Sequence, residues 1–423
     1  MPNLRGSLTG LSASTFSSLT IPDYRRVFFG NMAFQFSVWM QRATFSWLLI
    51  VIGNSPAWNG VGAASYGVTM ILMAPVGGIL ADCWERRRAM MTQLTSVIVN
   101  AVVAVLFALG LLEIWHLLVA CALMGCAFTM NMPARQSLMA ELVPRRLMHN
   151  ATSLHTASMN LNRIVGPAAS GLLLAAIGAL PVMLVNVVAN SWTVWQLTLV
   201  KYRPSRPTQP FRVDFEALSS GFRYCWEHRP VLRVMAIIAI TNFFGLSYVD
   251  LLAPLARDTL GLGPGGFGLM LSTMGGGALL GAMALAPLRT VRRKEPLLSL
   301  TAAALGLLMV LLGRADGLPQ ACLALALAGL CSAAMTAFGL QAIQERVSDE
   351  VSGRVFGVYM LVQGLTTLGT LPAGLLAAQI GTGPAIAIWG LLCALLSTVL
   401  LALGQLTTRQ VAESATTRTV AGT

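Results

Sequence analysis

The chain has 423 residues, of which 56% are apolar and only 10% are charged, and its formal net charge is +12. Together with a mean hydropathy of +0.71, this composition excludes an ordinary soluble domain. A chain of this length can hold about a dozen membrane spans of ~20 residues joined by short loops. The surplus of basic residues would also suit a protein that binds nucleic acid. The positions of the charges along the chain distinguish this possibility from a membrane protein.

Apolar runs predict the elements of the first half of the chain. Residues 1–26 form a polar tail without a signal-peptide pattern, because no cleavage site precedes the first apolar run. Residues 27–200 form a bundle of six helices. The predicted helices span about 27–52, 59–82, 89–111, 115–138, 148–176 and 181–200.

Residues 201–230 are predicted to be a linker on the cytoplasmic side. Three prolines and four basic residues in 201–213 favour an extended segment. Residues 214–228 place four apolar side chains at helical spacing with charges between them: Phe215, Leu218, Phe222 and Trp226. The pattern predicts an amphipathic helix that lies on the membrane surface or covers the floor of the bundle, and we favour the second interpretation.

A second bundle of six helices is predicted over residues 231–405, followed by a polar, unstructured tail over 406–423. Its helices span about 231–255, 265–288, 296–313, 318–343, 353–380 and 384–404. The two halves share residues at an offset of about 204 positions, such as Gly125 and Gly329. We therefore predict an all-α membrane protein whose twelve transmembrane helices form two pseudo-symmetric six-helix bundles, related by an axis along the membrane normal.

The basic residues fall almost entirely on one predicted side of the membrane. Of the 28 Lys and Arg residues, only Arg257 and Arg314 fall on the other side, and only Arg42 and Arg163 fall inside spans. This is the positive-inside pattern, so anionic lipids are the expected partner of the charge, and nucleic acid is not. We expect a monomer in the bacterial inner membrane with both termini in the cytoplasm.

Residue patterns that mark enzymes and cofactor sites are missing from the sequence. The seven cysteines are scattered without metal-ligand spacing. The phosphate-binding pattern Gly-x-x-x-x-Gly-Lys does not occur, which argues against transport driven by ATP. We expect no enzymatic activity, no metal and no cofactor.

Residues 78–88 carry the most distinctive motif, Gly-Ile-Leu-Ala-Asp-Cys-Trp-Glu-Arg-Arg-Arg. Gly78 and Asp82 lie one helical turn apart, so a neighbouring helix can approach closely and place its first-turn N–H groups near the carboxylate. Arg86 and Arg87 can reach acidic side chains or lipid phosphates. An ordinary helix end with basic flanks would explain the same residues.

The stretch resembles the signature loop between helices 2 and 3 of the major facilitator superfamily, a cytoplasmic latch between two halves. The usual Asp-Arg-x-Gly-Arg reads Asp82-Cys83-Trp84-Glu85-Arg86 here, with two departures. The segments Pro133-Ala-Arg-Gln-Ser to Glu141-Leu-Val-Pro144 and Ser352-Gly-Arg-Val355 resemble the branch of enterobactin exporters and macrolide-efflux relatives. The resemblance implies a latch made of Gly78, Asp82, Arg86, Arg87, Glu141 and Arg354.

Ionisable residues inside a span are costly and are therefore functional candidates. Arg42 and Arg163 both rise ~22 Å from the inner ends of their helices, near or beyond the midplane. Two cations at this depth would favour anionic substrates, unless nearby carbonyl and amide oxygens already accept the hydrogen bonds of both guanidinium groups. Asp250 is the carboxylate within a span and could carry a coupling proton or pair with Arg257.

His155 titrates in a useful range and could carry a coupling proton or line the cavity through a hydrogen bond. The amides Gln35 and Asn162 complete the candidates for substrate or coupling contacts. In the fifth helix, Gly166, Pro167 and Gly171 predict a bend with close packing. They resemble the Gly-Pro motif of antiporter-type major facilitators. The fourth helix lacks the membrane arginine of drug:proton antiporters, which argues against a standard drug pump.

We conclude from the sequence that the chain is a secondary transporter that exports a small organic molecule by alternating access, with protons as the coupling ion. A siderophore or similar polar metabolite is the leading substrate class. A multidrug or macrolide efflux pump is the alternative within transport. A membrane receptor or scaffold that moves nothing would share the fold, and substrate flux in vesicles distinguishes it.

Overall fold

A computed structural model of the protein describes residues 16–83, 91–201, 215–285 and 294–420. These residues are almost entirely helical, and none of them lies in a β-strand. The α-helices are α1 (Pro22–Gly53), α2 (Pro56–Cys83), α3 (Gln93–Ala108), α4 (Ile114–Leu142), α5 (Met148–Ile177), α6 (Ala179–Thr198), α7 (Phe215–Glu227), α8 (Arg229–Ile240), α9 (Pro264–Leu285), α10 (Lys294–Gly313), α11 (Leu318–Gln344), α12 (Asp349–Gln363), α13 (Leu365–Ile380) and α14 (Thr382–Val420).

The six predicted helices of the first half correspond to α1–α6, with ends that differ by a few residues. The helix α1 begins at Pro22, earlier than predicted, because proline suits the first helical position and Asp23 complements the N-terminal dipole. It ends at Asn54, which adopts a left-handed conformation. At the start of α4, Glu113 and His116 form a reciprocal capping box.

The predicted span over 231–255 is found as Arg229–Thr259, but it is not one regular α-helix. After α8 the chain passes through a π-helical turn (Thr241–Gly245), a 3-10 turn (Ser247–Leu251), the short segment Leu252–Pro254 and a second π-helical turn (Leu255–Thr259). Pro254 lacks an N–H and clashes with the preceding turn, which accounts for the outer part of the break. The predicted helix over 353–380 is likewise divided at Gly364 into α12 and α13.

The prediction of an unstructured tail over residues 406–423 is also wrong, because α14 continues to Val420. The segment after Gly404 contains Ala, Gln, Glu and Arg and lacks proline, so the sequence holds no strong helix breaker there. At the other end, the predicted tail includes a 3-10 turn (Ser17–Thr20). The Ser18 backbone N–H donates to Asn150 Oδ1 at 3.1 Å and thereby ties this turn to α5.

The chain divides into two compact units. Unit 1 comprises the described residues of Met1–Asn54, Gly62–Val213 and Gly263–Ser272. Unit 2 comprises those of Ser55–Val61, Asp214–Leu262 and Thr273–Thr423. A core cluster around Tyr24, Leu138 and Leu197 holds α1, α4 and α6 together in unit 1.

Two glycines related by the predicted repeat occupy equivalent helix interfaces, each within its own unit. A Cβ added at Gly125 of α4 would lie 2.2 Å from the Tyr66 carbonyl oxygen of α2. A Cβ added at Gly329 of α11 would lie 2.0 Å from the Met274 carbonyl oxygen of α9. Both positions therefore require glycine, because the backbones touch as small residues allow in membrane bundles.

Among the residues that the structure describes, eight helical segments are long and apolar enough to cross a membrane. The helix α3 is apolar but shorter. The helices α5 and α6 are as long as the eight but more polar. Their polar side chains include Asn162, Asn186 and Asn190, which are buried within unit 1. The lower mean hydropathy of α5 and α6 therefore reflects polar side chains that are buried inside the protein.

The predicted amphipathic helix is confirmed as α7, which packs against α12 within unit 2. Gly221 permits this contact, since a Cβ there would lie 2.6 Å from the Arg354 carbonyl oxygen. Cys225 is buried in the same face, and this burial raises the pKa of its thiol. The aromatic side chains point elsewhere: Phe222 is 50% exposed and Trp226 is 75% exposed. The helix therefore docks through Gly221 and Cys225 and leaves Phe222 and Trp226 exposed.

Candidate functional site

A buried arginine organises the polar interior of unit 1. Arg135 of α4 is only 1% exposed. Its Nε donates to Asn131 Oδ1 at 2.9 Å, its Nη1 donates to Asn31 Oδ1 at 2.7 Å, and its Nη2 donates to Gln93 Oε1 at 3.4 Å. The guanidinium thus joins α1, α3 and α4 through three amide oxygens.

No acidic side chain balances this cation among the residues that the structure describes. The ion pairs described include Glu295 of unit 2, which contacts Arg233 and Arg346 at 3.6 and 3.3 Å, but none involves Arg135. The Phe34 ring stacks on Arg135 with 3.9 Å between the guanidinium carbon and the ring centroid. Burial of a cation without a counter-ion is costly, so the amide oxygens and the aromatic face must supply the compensation.

The amide network continues from Gln93 toward α6. Gln93 Nε2 donates to Asn190 Oδ1, and Asn190 Nδ2 donates to Ser37 Oγ at 2.6 Å. Ser37 Oγ in turn donates to Asn186 Oδ1 at 2.8 Å. All four of these side chains are buried. One continuous chain of hydrogen bonds therefore links α1, α3, α4 and α6.

His155, predicted to line the cavity or to carry a proton, joins this network at its other end. The ring of His155 is half-buried on α5, and its Nδ1 lies 2.9 Å from Asn31 Nδ2. Asn31 therefore contacts both His155 and Arg135. The candidate titratable group is thus placed beside the buried cation through a single amide.

The two arginines predicted within spans lie on neighbouring helices of unit 1. Arg163 of α5 is half-buried, with its guanidinium carbon 5.6 Å from the centroid of the Trp39 ring. Arg42 of α1 is exposed. The two helices approach closely here, since a Cβ added at Gly166 would lie 2.8 Å from Trp39 Cβ. Neither side chain is buried as fully as that of Arg135, and contact of either guanidinium with a ligand stays a prediction.

Two other predicted candidates are placed inside the packing of unit 1. Asn162 is buried and its Nδ2 donates to the Met32 carbonyl oxygen at 3.2 Å, which ties α5 to α1. Gln35 is buried as well. In the predicted bend of α5, Gly166, Pro167 and Gly171 are all buried. A Cβ added at Gly171 would lie 2.5 Å from Gly268 Cα, within the same unit.

Unit 2 contains a small, partly open cavity beside the irregular segment that follows α8. The lining mixes hydroxyl, amide, thioether and aromatic groups and includes no charged side chain. It consists of Ile238, Thr241, Asn242, Leu246, Ser332, Met335, Thr336, Tyr359 and Gln363. Irregular backbone at membrane depth is tolerated where it lines such a cavity.

Hydrogen bonds hold the polar side of this cavity in place. Asn242 Nδ2 donates to the Ile238 carbonyl oxygen at 2.9 Å, and Asn242 Oδ1 accepts from Thr366 Oγ1 at 2.8 Å. Gln363 Nε2 donates to the Tyr359 hydroxyl oxygen at 3.1 Å. The π-helical turn thus turns Asn242 toward α13.

Asp250 lies in the 3-10 turn beyond this cavity and is buried. Thr370 Oγ1 of α13 donates to Asp250 Oδ2 at 3.4 Å. Arg257, the predicted alternative partner, lies with its Nε 3.8 Å from Asp258 Oδ1. The role of Asp250 in proton coupling stays a prediction.

The predicted latch lies mostly beyond the described residues. Gly78 and Asp82 fall in the last turns of α2, where the structure describes the backbone but not the side chains. Arg86 and Arg87 lie outside the described residues altogether. Glu141, at the end of α4, is half-buried, and Arg354 of α12 is exposed. The latch therefore stays a prediction.

Sequence reasoning missed the role of Arg135. It counted this residue among the basic charges of the cytoplasmic side and did not foresee that its side chain is buried in unit 1. The candidate span of the fourth helix ends at Met132, before Arg135, so the absence of the membrane arginine of drug:proton antiporters stays a prediction. Asn131, one turn before Arg135, was a usable signal, since an amide at that spacing can accept from a guanidinium.

Comparison with known proteins agrees with this architecture. A family model described as a transmembrane secretion effector matches residues 13–420. The chain is 26% identical over 349 residues to the multidrug efflux pump Tap of Mycobacterium tuberculosis, covering 80% of this chain and 83% of Tap. It is 22% identical over 361 residues to the staphyloferrin A transporter of Staphylococcus aureus, covering 84% and 89%.

Solved structures share the fold. A POT family transporter in complex with a thioalcohol-conjugated peptide superposes with a TM-score of 0.74 at 12% identity, covering 90% of this chain and 96% of that one. The nucleoside transporter NupG superposes with a TM-score of 0.69 at 12% identity, covering 90% and 98%. At such identities the likeness concerns the fold alone.

Proposed function

The chain belongs to the transmembrane secretion effector family of the major facilitator superfamily, and from this premise we propose that it exports a small organic anion of the siderophore class. It is a multi-pass membrane transporter. We place it in the bacterial inner membrane as a monomer with twelve spans in two pseudo-symmetric bundles, residues 27–200 and 231–405, and with both termini in the cytoplasm. A proton gradient would supply the energy through alternating access.

The observation that carries the substrate class is the one-sided charge of the interior of unit 1. Arg42 is exposed, Arg163 is half-buried and Arg135 is buried. The sequence contains no Asp or Glu between Asp23 and Asp82, or between Glu141 and Asp214. A surplus of cations over acids in these segments creates a positive potential, which is amplified where water is scarce. Such an interior attracts carboxylate or catecholate groups and repels cationic compounds.

Everted membrane vesicles test the substrate class directly. Vesicles that contain the protein should accumulate an anionic siderophore when their lumen is acidified, and a protonophore should abolish the accumulation. The matched control is a cationic dye of similar size under the same gradient. Preference for the cationic dye, or equal transport of both compounds, would overturn the proposal.

Multidrug efflux is the second candidate, and a specific observation favours it. The cavity of unit 2 is lined by neutral side chains, among them Met335 and Tyr359. Polarizable and aromatic groups adapt to ligands of varied shape, as promiscuous sites require. The likeness to the multidrug efflux pump Tap points the same way. In the same vesicles, accumulation of several unrelated neutral or cationic compounds would establish this alternative.

A receptor or scaffold that moves nothing is the remaining alternative from the sequence. Absence of flux for every tested anion and cation, in vesicles where the protein is abundant and binds an anion, would favour it. Flux of any one compound would exclude it.

A further inference from the structure

The amide of Asn31 lies between Arg135 and His155, and this position determines its orientation. A guanidinium has donors and no acceptor, so the atom 2.7 Å from Arg135 Nη1 must be Asn31 Oδ1. Asn31 Nδ2 therefore faces His155 Nδ1, at 2.9 Å. Because the amide nitrogen donates, His155 Nδ1 must accept, and the ring proton of the neutral imidazole lies on Nε2.

The Asn31 amide cannot flip without losing its hydrogen bond with Arg135. Rotation by half a turn would place the NH₂ group of Asn31 against the guanidinium of Arg135, donor against donor. Both side chains are buried, so the lost bond could not be replaced by solvent. Arg135 therefore fixes the tautomer of His155 through Asn31.

We propose that His155 is the proton-carrying residue of the transport cycle and that Asn31 transmits its protonation state to Arg135. The inference rests on the proposed function, which requires a coupling proton. A proton that binds His155 Nδ1 creates an N–H that opposes the NH₂ group of Asn31. The hydrogen bond between Asn31 of α1 and His155 of α5 then breaks, and it forms again when the proton leaves.

Among the described residues, the groups around His155 include a cation and no acidic ion-pair partner. Arg135 of α4 is the charged group that acts on it, and α1 contributes the Tyr24 phenol, whose hydroxyl donates to the Ala151 carbonyl oxygen one turn earlier. None of the ion pairs among the described residues involves His155. The imidazolium would thus lack a local counter-ion and would have to turn toward water or an anionic ligand.

The consequences of the broken bond extend beyond α5. Asn31 belongs to the chain of hydrogen bonds that runs through Arg135 and Gln93 to Asn190 of α6. Loss of the bond to His155 leaves Asn31 Nδ2 with its contact to Met139 Sδ at 3.8 Å, so the amide can shift around the guanidinium. Protonation of the half-buried His155 ring can therefore change the hydrogen bonds that join four helices of unit 1. Coupling of proton binding to a conformational change requires a two-state element of this kind.

The first test reads the tautomer and needs no transport. The protein holds four histidines, so ¹⁵N-histidine labelling in nanodiscs gives few signals, and the signal lost in His155→Gln is that of His155. At neutral pH we expect Nε2 to carry the proton. In Asn31→Asp the carboxylate accepts instead of donating, so we expect the proton on Nδ1. A wild-type Nδ1–H tautomer, or no change of tautomer in Asn31→Asp, would overturn the proposal.

The second test separates proton coupling from substrate handling. Gln at position 155 can still accept from Asn31 but cannot titrate. In His155→Gln we expect uphill transport driven by a pH gradient to fall by about tenfold or more, while substrate counterflow stays within about twofold of wild type. His149→Gln is the control, since His149 is exposed on the same helix. Equal loss of both activities, or retained uphill transport, would contradict the proposal; absence of counterflow in wild type would instead reject the proposed function.

Discussion

Replacement of Arg163 tests the link between the charge of unit 1 and the substrate class. The guanidinium is half-buried beside Trp39. A ligand anion ~5 Å from it would gain about 3 kcal/mol at an effective dielectric constant of about 20. Partial exposure screens this attraction, so about 1–2 kcal/mol is a reasonable expectation. Arg163→Gln should therefore weaken binding of an anionic siderophore by about 5- to 30-fold.

The measurement is equilibrium binding to the purified protein in nanodiscs, with one anionic and one cationic ligand. Arg163→Lys should lose less than Arg163→Gln, because a point charge keeps the attraction but loses the planar fork. Arg314→Gln, at an exposed position of unit 2, is the charge-matched control. An equal loss for both ligands would make Arg163 a structural residue. A loss confined to the cationic ligand would refute the siderophore assignment and favour a drug pump.

Three further predictions concern the latch and the buried network. Asp82→Asn should leave expression intact but strongly slow vesicle efflux, since each lost charge-assisted bond is worth roughly 1.5–3 kcal/mol in one conformation; near-normal efflux would reject the latch. Reversal of Glu141 or of Arg86 alone should impair efflux, and reversal of both should partly restore it; a double variant no better than the worse single one would exclude the pair. Arg135→Gln and Asn31→Ala, measured singly and together by thermal unfolding, should show a coupling energy of about 1 kcal/mol or more, whereas additivity within about 0.5 kcal/mol would mean that the contact contributes little.

The positions of most helices could be predicted because they depend on local features. Apolar runs of membrane-spanning length, punctuated by turns such as Asn54-Ser55-Pro56, determine where α1–α6 begin and end to within a few residues. The repeat of Gly125 and Gly329 was also visible in the sequence, and both glycines prove to lie at backbone contacts. Periodicity and composition are sufficient for features of this kind.

The buried network could not be predicted, because its members are distant in sequence. Arg135 meets Asn31 and Gln93, which lie 104 and 42 residues away. In the sequence, Arg135 stands among the basic residues near an inner helix end, where a surface position is the ordinary expectation. Only the folded bundle shows that three amide oxygens and an aromatic ring replace water around it.

The cavity of unit 2 escaped prediction for a related reason. Pro254 marks the outer break of the predicted seventh helix, but the π-helical turn at Thr241–Gly245 contains no proline. Its irregular geometry depends on partners such as Thr366, which lies 124 residues from Asn242. A cavity that combines such segments is a property of packing, and hydropathy alone does not locate it.

Uphill transport in proteoliposomes tests the central claim most directly. The purified protein is reconstituted with an acidic lumen, and uptake of a radiolabelled anionic siderophore is compared with uptake of a cationic drug of similar size. Our account predicts concentrative uptake of the anion that collapses with a protonophore and is weakened in Arg163→Gln. Concentrative uptake of the cation alone, or uptake of the anion that ignores the pH gradient, would contradict it.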